Sequence, residues 1–425
     1  MKALLLLLAC ASSALAAPID YATTLRLAGA KSVDVALARN ALHEAQAKQA
    51  EIHNRFFPWL QVGAVYHRSD GKTQDAPGNI IETSKQNYQV GPGVVAELKL
   101  GETIYQNLAA KQRSRAAAHM VDSATHDVVN QASGLYFDLL RAQAALRIEE
   151  SATKLSNDYR DQVKAAVGGG VAFEGDQYRA EAQTLRHDLS RRKALEDVQL
   201  ASARLSELLR LPNGMDLRGV DSELVPLHLS DADEPLSEHV SHALDKRPEL
   251  LGHEALLEAA RIDTEAGHKA PLYPDLSLTA RAGGLGGGQN GDTGNFGGNS
   301  EVTFGLGWRI GPGGLFDSAR IKSAEAKEEE ERLLIEKARQ HVTREVLEAI
   351  IRVRSLNSRI ATTRQLLDVS EKAYTFSLQR GNVGVGGVLE TLRSEEDYDF
   401  ARLAYFDLIT QYNKAQAELR RARGD

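Results

Sequence analysis

The chain has 425 residues, of which 26% are charged and only 6% are aromatic. Its formal net charge of -7, with no strongly basic stretch, argues against a general nucleic-acid surface. The mean hydropathy is -0.34, and no apolar run after the N-terminus reaches the ~18 residues that a spanning helix needs. Apolar residues are mainly Ala, Leu and Val spread along helical stretches, which favours one elongated helical body over a large enzyme.

An export signal is predicted over residues 1–17. Lys2 precedes a run of leucines, and residues 14–16 (Ala-Leu-Ala) form a small-residue cleavage site. Cleavage there removes Cys10, the single cysteine, and so excludes disulfides, a cysteine nucleophile and thiolate metal sites from the mature protein. The alternative is that Cys10 is a lipoprotein acylation site, although it lies early for an apolar segment of ordinary length.

The rest of the sequence carries one pattern twice. A shift of about 211 residues aligns the two copies over a long stretch: Tyr105 with Phe316, Lys111 with Lys322, Arg141 with Arg352, Leu155 with Leu366 and Gly170 with Gly381. We predict a first repeat over 18–211, a linker rich in Pro, Asp and Ser over 212–238, and a second repeat over 239–425. Each repeat has the order helix, two strands, long helical hairpin.

The first long hairpin is predicted over 105–211 and the second over 316–423. Between Phe316 and about Ser377 there is neither proline nor glycine, and ~60 residues at ~1.5 Å each make a helix near 90 Å. A seven-residue repeat in this helix indicates a left-handed coiled-coil seam: Val346, Val353, Ile360, Leu367 and Tyr374, with Ala349, Leu356, Thr363 and Ser370 between them. The helices alone are equally compatible with a soluble coiled-coil spacer.

Four segments alternate apolar and polar residues with a period of two, which predicts strands. They lie at 60–68, 88–100, 276–283 and 301–311, with long polar or Gly-rich loops expected at 69–87 and 284–300. In the last segment Val302, Phe304, Leu306, Trp308 and Ile310 share one face. A tilted strand of ~9–11 residues crosses a bilayer, so one face suits lipid and the other water.

Aromatic residues near the strand ends lie where the interfacial girdles of a membrane barrel would be: Trp59, Tyr105, Trp308 and Phe316. The alternative is a half-buried sheet in a soluble protein, which produces the same alternation. Four strands cannot close a membrane barrel, and an open edge does not survive in hydrocarbon. The chain is therefore expected to oligomerise, and three copies would supply about twelve strands.

With these features the chain resembles the TolC-like outer-membrane efflux protein family over nearly all of the mature sequence. Residues 243–250 (Ala-Leu-Asp-Lys-Arg-Pro-Glu-Leu) are similar to the family's Arg-Pro-Glu-Leu signature, residues 170–181 to its first periplasmic turn, and Gly381 with 388–390 to its second turn. The resemblance implies an α+β membrane protein, namely a homotrimer with a 12-stranded transmembrane β-barrel, four strands per chain, continued by a long α-helical coiled-coil tunnel into the periplasm.

The same resemblance implies a passive exit duct in the cell outer membrane, part of a tripartite efflux pump or type I secretion system. Its partners would be outer-membrane lipid, a periplasmic adaptor protein that opens the helix tips, and an inner-membrane transporter. No motif of this sequence identifies the cargo.

Gate residues follow from the resemblance as well. Asp176 matches the tip aspartate of the first turn and Glu390 an acidic site of the second, where rings of acids constrict the tunnel and select cations. Val383 and Leu378 replace the Arg and Tyr that tether the closed tip in the family, so the latch is expected to differ. Adaptor contact is expected at about 167–177 and 379–390, which include Gly170, Val171, Gly381, Val383 and Gly387.

No sequence pattern predicts catalysis. Gly-x-Ser-x-Gly, His-Glu-x-x-His and phosphate-loop motifs do not occur, and the pairs His239/His242 and His119/His126 lack a third ligand at useful spacing. We therefore expect no enzyme activity, no cofactor and no metal site. The alternative function is a soluble or peripheral trimeric coiled-coil structural protein, and the alternative role of Asp176 is that of a plain helix N-cap after Gly175.

Overall fold

The computed structural model describes residues 17–212, 214–220, 224–231, 233–289, 292–382 and 387–425. Its elements, in chain order, are β1 (Ala17–Ile19), α1 (Tyr21–Lys31), α2 (Val33–Asn54), β2 (Trp59–Gln74), β3 (Ile80–Lys99), α3 (Leu100–Gly168), α4 (Glu174–Leu208), β4 (Leu217–Gly219), α5 (Leu236–Lys246), α6 (Pro248–Lys269), β5 (Asp275–Gln289), β6 (Gly297–Gly307), α7 (Ser318–Asn382) and α8 (Val388–Arg423). Among these residues, no helix is long and apolar enough to cross a membrane.

The chain divides into two units. The helical unit consists of the residues up to Arg39, Met120–Leu250 and Ala338–Asp425, and the sheet unit of Asn40–His119 and Leu251–Lys337. The division falls inside α2, α3, α6 and α7, so both units contain parts of the same long helices. The predicted export signal lies outside the described residues except for Ala17, which belongs to β1.

Two apolar clusters form the core of the helical unit. The first brings α1 and α3 together with α4 and α8, through side chains such as Tyr136, Phe137, Leu205 and Ile409. The second joins α7 to α8, and its centre includes Val346, Val353 and Leu419. All nine positions of the predicted seven-residue repeat in α7 are buried or half-buried, so this helix uses the seam that the sequence predicts.

The predicted linker contains a strand that the sequence did not reveal. β4 pairs in parallel with β1, with Ile19 opposite Gly219. Further along, side chains of α8 satisfy the linker backbone, because Asn413 Oδ1 accepts from the Leu227 N–H (2.8 Å) and Gln416 Oε1 from the Ser230 N–H (2.9 Å). Three residues of parallel strand have too little periodicity to be predicted, whereas their hydrogen bonds hold the linker on the helical unit.

The sheet unit contains four antiparallel strands in the order β2-β3-β5-β6. Both predicted hairpin loops were too long. β2 and β3 continue into the predicted loop 69–87 until Gln74 pairs with Ile80, and β5 runs on to Gln289 while β6 already begins at Gly297. Most of the additional residues are polar or glycine and show no regular alternation, but backbone pairing still stabilises them.

The start of the first long helix also differs from the prediction. α3 begins at Leu100, directly after β3, whereas residues 308–317 separate β6 from α7. Gly101 makes this direct transition possible, because a Cβ there would lie 2.2 Å from the Ala270 carbonyl oxygen. The two repeats are therefore not equivalent at this point.

The Arg-Pro-Glu-Leu motif connects α6 to α7 and α8 inside the helical unit. Arg247 is 2% exposed, and its guanidinium donates to the Ala422 carbonyl (3.0 Å), to Glu249 (2.8 Å) and to Glu345 (2.7 Å). Pro248 is the first residue of α6, where its missing N–H costs no helical hydrogen bond. The motif is thus a buried ion-pair network that holds the end of α8.

Replacing Arg247 with Met should lower the free energy of unfolding by about 1–3 kcal/mol, because the Ala422 carbonyl loses its buried donor and the half-buried Glu249 and Glu345 keep only Arg421 as a cation. The midpoint of chaotrope-induced loss of the helical circular dichroism signal measures this effect. Arg420→Met removes an exposed arginine from the same end of α8 and should change the stability by less than ~0.5 kcal/mol. Equal stability of the two variants would contradict a structural role for the motif.

The same network predicts an acid limit to stability. Burial acts to raise the pKa of Glu249, but the hydrogen bond from Arg247 and the nearby arginine charges outweigh it and lower that pKa below 4.5. A carboxylate with a lowered folded-state pKa contributes stability above its unfolded value and loses it as the pH falls through the folded value. Stability should therefore decrease below about pH 4.5 in the wild type, and less steeply in Glu249→Gln.

Candidate membrane face and helical tips

The register of the sheet places the apolar residues of all four strands on one face. Residues directly opposite each other share a face, and Leu60 lies opposite Val94, which lies opposite Ala280, which lies opposite Val302. The next rows are equally apolar, with Leu278 beside Phe304 and Leu276 beside Leu306. In the single chain Val302 is 72% exposed and Phe304 68%. The alternation predicted strand by strand is therefore one continuous exposed apolar surface, which we call the apolar face.

The opposite face is more polar, although Trp59 and Val95 also lie on it. One row across it contains Gln61, Gly93, Arg281 and Glu301, and another contains Lys99 and Asp275. The central strands approach closely here, since a Cβ on Gly91 would lie 2.3 Å from the Ala282 carbonyl oxygen. A sheet with one apolar and one hydrated face is the arrangement of a transmembrane barrel wall.

Both outer strands of this sheet have an unpaired side. β2 and β6 stand at the ends of the strand order, and within the described residues neither pairs with a strand on its outer side. Their 16 and 11 residues present backbone N–H and C=O groups along these edges. Such edges can pair with another chain.

The four predicted interfacial aromatics all lie near one end of the strands. Trp59 opens β2, and Trp308 follows β6 and donates its indole N–H to the Leu272 carbonyl at 3.1 Å. Tyr105 is half-buried in the second turn of α3, and Phe316, just before α7, is largely exposed. A second aromatic group, which was not predicted, lies halfway along β2 and β3: Tyr66 opposite Tyr88, whose ring stacks on Phe296 just before β6.

The first helical tip is formed by the reversal between α3 and α4. Gly170 has φ +75°, a conformation that favours glycine. The Val171 N–H donates to the Ala166 carbonyl (2.9 Å) and the Gly170 N–H to the Val167 carbonyl (3.0 Å), which is a Schellman motif. The predicted tip glycine therefore ends α3.

Two large apolar side chains project from this tip. Val171 is 79% exposed and Phe173 83%. Phe173 is the N-cap residue of α4, and its side chain makes no capping hydrogen bond. Neighbouring exposed apolar side chains are typical of contact sites for other proteins.

Asp176 lies in the first turn of α4. Its N-cap alternative is wrong, because α4 begins at Glu174 and Phe173 occupies the cap position. The Asp176 carboxylate pairs with Arg179 at 2.9 Å and is mostly buried. It also lies close enough to Tyr159 of α3 for its charge to add to the burial that raises the pKa of that hydroxyl. The predicted gate residue thus faces α3 across the hairpin.

The second tip lies between α7 and α8, and Val383 in this turn falls outside the described residues. Gly387 is the N-cap residue of α8, and Gly381 packs beside Thr391. Glu390 accepts a hydrogen bond from Arg380 at 3.0 Å, so one ion pair connects the two helices. Arg380 was not predicted, although a basic residue at the end of a helix beside a Gly-rich turn could have indicated it.

Part of the chain matches a family of known proteins. Residues 239–425 match the sequence model of the family described as outer membrane efflux protein. Protein CyaE of Bordetella pertussis (strain Tohama I) is 24% identical over 324 residues, which are 75% of this chain and 66% of that protein. The chain thus spans slightly less than two thirds of this relative's length.

Solved structures share the fold over almost the whole chain. A membrane protein from Pseudomonas aeruginosa superposes with a TM-score of 0.79 at 22% identity, covering 95% of this chain and 93% of that one. The Campylobacter jejuni CmeC outer membrane channel gives 0.77 at 15% identity, covering 95% and 85%. The family and this channel are transport proteins rather than enzymes. Residues 239–425 therefore match the outer membrane efflux protein family, and the chain has the fold of solved outer-membrane channels.

Proposed function

We propose that the protein is an outer-membrane exit duct of a tripartite efflux pump or type I secretion system. The observation that carries this function is the sheet with one continuous apolar face, one polar face and two unpaired edges. Lipid covers the apolar face, and the polar face lines an aqueous lumen. A soluble coiled-coil structural protein, the alternative function, would leave this apolar face in water at a large free-energy cost.

The duct is a homotrimer. Strand directions alternate from β2 to β6, so β6 of one copy meets β2 of the next in antiparallel orientation, as barrel closure requires. Two copies would give about eight strands, a barrel whose interior is filled by side chains. Three copies give about twelve and leave a lumen, which a duct needs.

The helical tips form the gate and the adaptor contact. Asp176 and Glu390 contribute acidic rings in the trimer, and each is held by an arginine of its own chain, Arg179 and Arg380. The ion pair between Arg380 and Glu390 takes the role of the Arg and Tyr tether that this chain lacks. Val171 and Phe173 dock an adaptor that opens the tips and connects the duct to an inner-membrane transporter.

Phe304→Arg should prevent insertion of the sheet, because an arginine near the bilayer midplane costs about 2–4 kcal/mol. Thr303→Arg places the same side chain on the polar face of the same strand and should be tolerated. Folding into lipid vesicles, followed by protection of the sheet from added protease, measures both variants. Equal insertion of the two would argue against a lipid-facing apolar face.

Single-channel recording in a planar bilayer tests the gate. Wild type should conduct in discrete cation-selective steps, and Asp176→Asn with Glu390→Gln should reduce the cation-to-anion permeability ratio by at least ~twofold. Arg380→Gln should raise the ratio, because it releases the Glu390 charge from its pair. Glu207→Gln, at the far end of α4 from this tip, is the control and should behave as wild type. Selectivity that is identical in all variants would place the constriction elsewhere.

Phe173→Asp should reduce co-purification of the periplasmic adaptor at least ~tenfold, because it introduces a charge into an apolar contact. The trimer should remain intact, since Phe173 is largely exposed in the folded chain. Val220→Asp changes an exposed apolar residue of the linker and serves as the control. If both variants retain the adaptor equally, the first tip is not its contact site.

A further inference from the structure

A group of ionisable side chains lies buried among the helices of the helical unit. His187 belongs to α4, Glu149 to α3, and Glu395 and Asp399 to successive turns of α8. His187 is 8% exposed and Glu395 4%, and the Asp399 side chain is also mostly buried. The duct function uses none of these residues.

The hydrogen bonds around His187 determine which ring nitrogen carries the proton. Arg186 donates to Gln183 Oε1 at 2.6 Å, so the Gln183 amide presents its NH₂ group to His187 Nε2, at 3.1 Å. Nε2 therefore accepts, and the proton lies on Nδ1, which is 3.4 Å from Glu149 Oε2. A carboxylate on Nδ1 is the arrangement that orients metal-binding histidines, and a metal on Nε2 would take the place of the Gln183 amide.

The other side of the imidazole faces two incompletely satisfied carboxylates. Glu395 Oε1 lies 3.7 Å from His187 Nε2, and both atoms carry lone pairs. Neither Glu395 Oε1 nor Asp399 Oδ2 has a hydrogen-bond partner, although both are buried. Arg402 lies 3.5 Å from Asp399 Oδ1, the other oxygen of that carboxylate. The imidazole and these two unpartnered oxygens therefore surround a place that a bound cation would satisfy.

The spacing suits a metal ion. One ligand atom from each of His187, Glu395 and Asp399 lies within 4.8 Å of the other two. Tetrahedral zinc with bonds of ~2.0–2.1 Å separates its ligand atoms by about 3.4 Å, so only a small side-chain movement is needed. One imidazole with two carboxylates is a donor set that zinc accepts, with water as the fourth ligand.

We propose that His187, Glu395 and Asp399 bind a zinc ion, with Glu149 orienting the imidazole. The ion connects α4 to α8 within about 10–17 Å of the first residue of α8, at ~1.5 Å per residue. It stabilises the packing of one hairpin against the other. This site is independent of the conduction and adaptor functions and of the acidic residues at the tips.

Further ionisable groups lie around these ligands. Glu149 of α3 lies 3.4 Å from the imidazole, and Arg402 of α8 lies 3.5 Å from Asp399. The carboxylate charges also act on the hydroxyls of three tyrosines: Tyr159 of α3, Tyr374 of α7 and Tyr398 of α8. Because zinc replaces protons on its ligands, its affinity should fall as the pH decreases.

Zinc chloride titrated into the chelator-treated, detergent-purified full protein at pH 7.5 tests the site by calorimetry. We expect one zinc per chain and a higher thermal unfolding midpoint with zinc than without it. His187→Gln, Glu395→Gln and Asp399→Asn should each weaken binding at least ~tenfold. Glu396→Gln removes the same charge from the neighbouring, more exposed residue of α8 and should bind as wild type.

Cobalt absorption supplies a second measurement on the wild type, so the result does not depend on the folding of a variant. Co²⁺ should give the visible bands of a four-coordinate site, and zinc should displace it. Absence of binding, or equal binding by Glu395→Gln and Glu396→Gln, would overturn the proposal. So would a thermal unfolding midpoint that is the same with and without zinc at pH 7.5.

Discussion

The structure depends on one constraint, namely that a sheet in hydrocarbon cannot leave backbone N–H and C=O groups unpaired. This chain contributes four strands with alternating directions, and β2 and β6 keep one unpaired side each. In the proposed trimer these edges pair with β6 and β2 of further copies. Assembly is then part of folding, and the exposed apolar face of the single chain is covered by lipid only once the proposed barrel closes.

In the helical unit, charged side chains are buried between long helices. Arg247 is surrounded by a carbonyl and by the carboxylates of Glu249 and Glu345, so its charge is matched inside the unit. The site around His187 has the opposite composition, with more carboxylate than cation. A buried network whose charges are all paired favours one arrangement of the helices. A buried network with unpaired carboxylates can bind a ligand or a proton.

Much of the sheet and of the helical seam could be predicted from the sequence, because periods of two and seven translate directly into faces. The ends of the elements could not. β2 continues to Gln74 through polar residues that show no alternation, and α3 begins at Leu100 because Gly101 permits close contact with Ala270. β1 and β4 are short and pair across ~200 residues of sequence, so no local pattern indicates them.

The candidate site residues were likewise predictable only in part. Gly170 was predictable because a reversal after a long helix requires a left-handed residue, and it has that conformation. The prediction of Asp176 as an N-cap was wrong because Phe173 occupies the cap position. Phenylalanine is not among the residues that favour this position. The group of His187 with Glu395 and Asp399 escaped detection because its members come from two helices in different repeats. Only the spacing of Glu395 and Asp399, one helical turn, was visible in the sequence.

Amide hydrogen exchange of the lipid-reconstituted protein tests the central claim most directly. If copies pair edge to edge, the amides of β2 and β6 should exchange as slowly as those of the central strands β3 and β5. Fast exchange at alternate residues along β2 and β6, beside slow exchange in β3 and β5, would show that the edges remain open and would contradict the barrel.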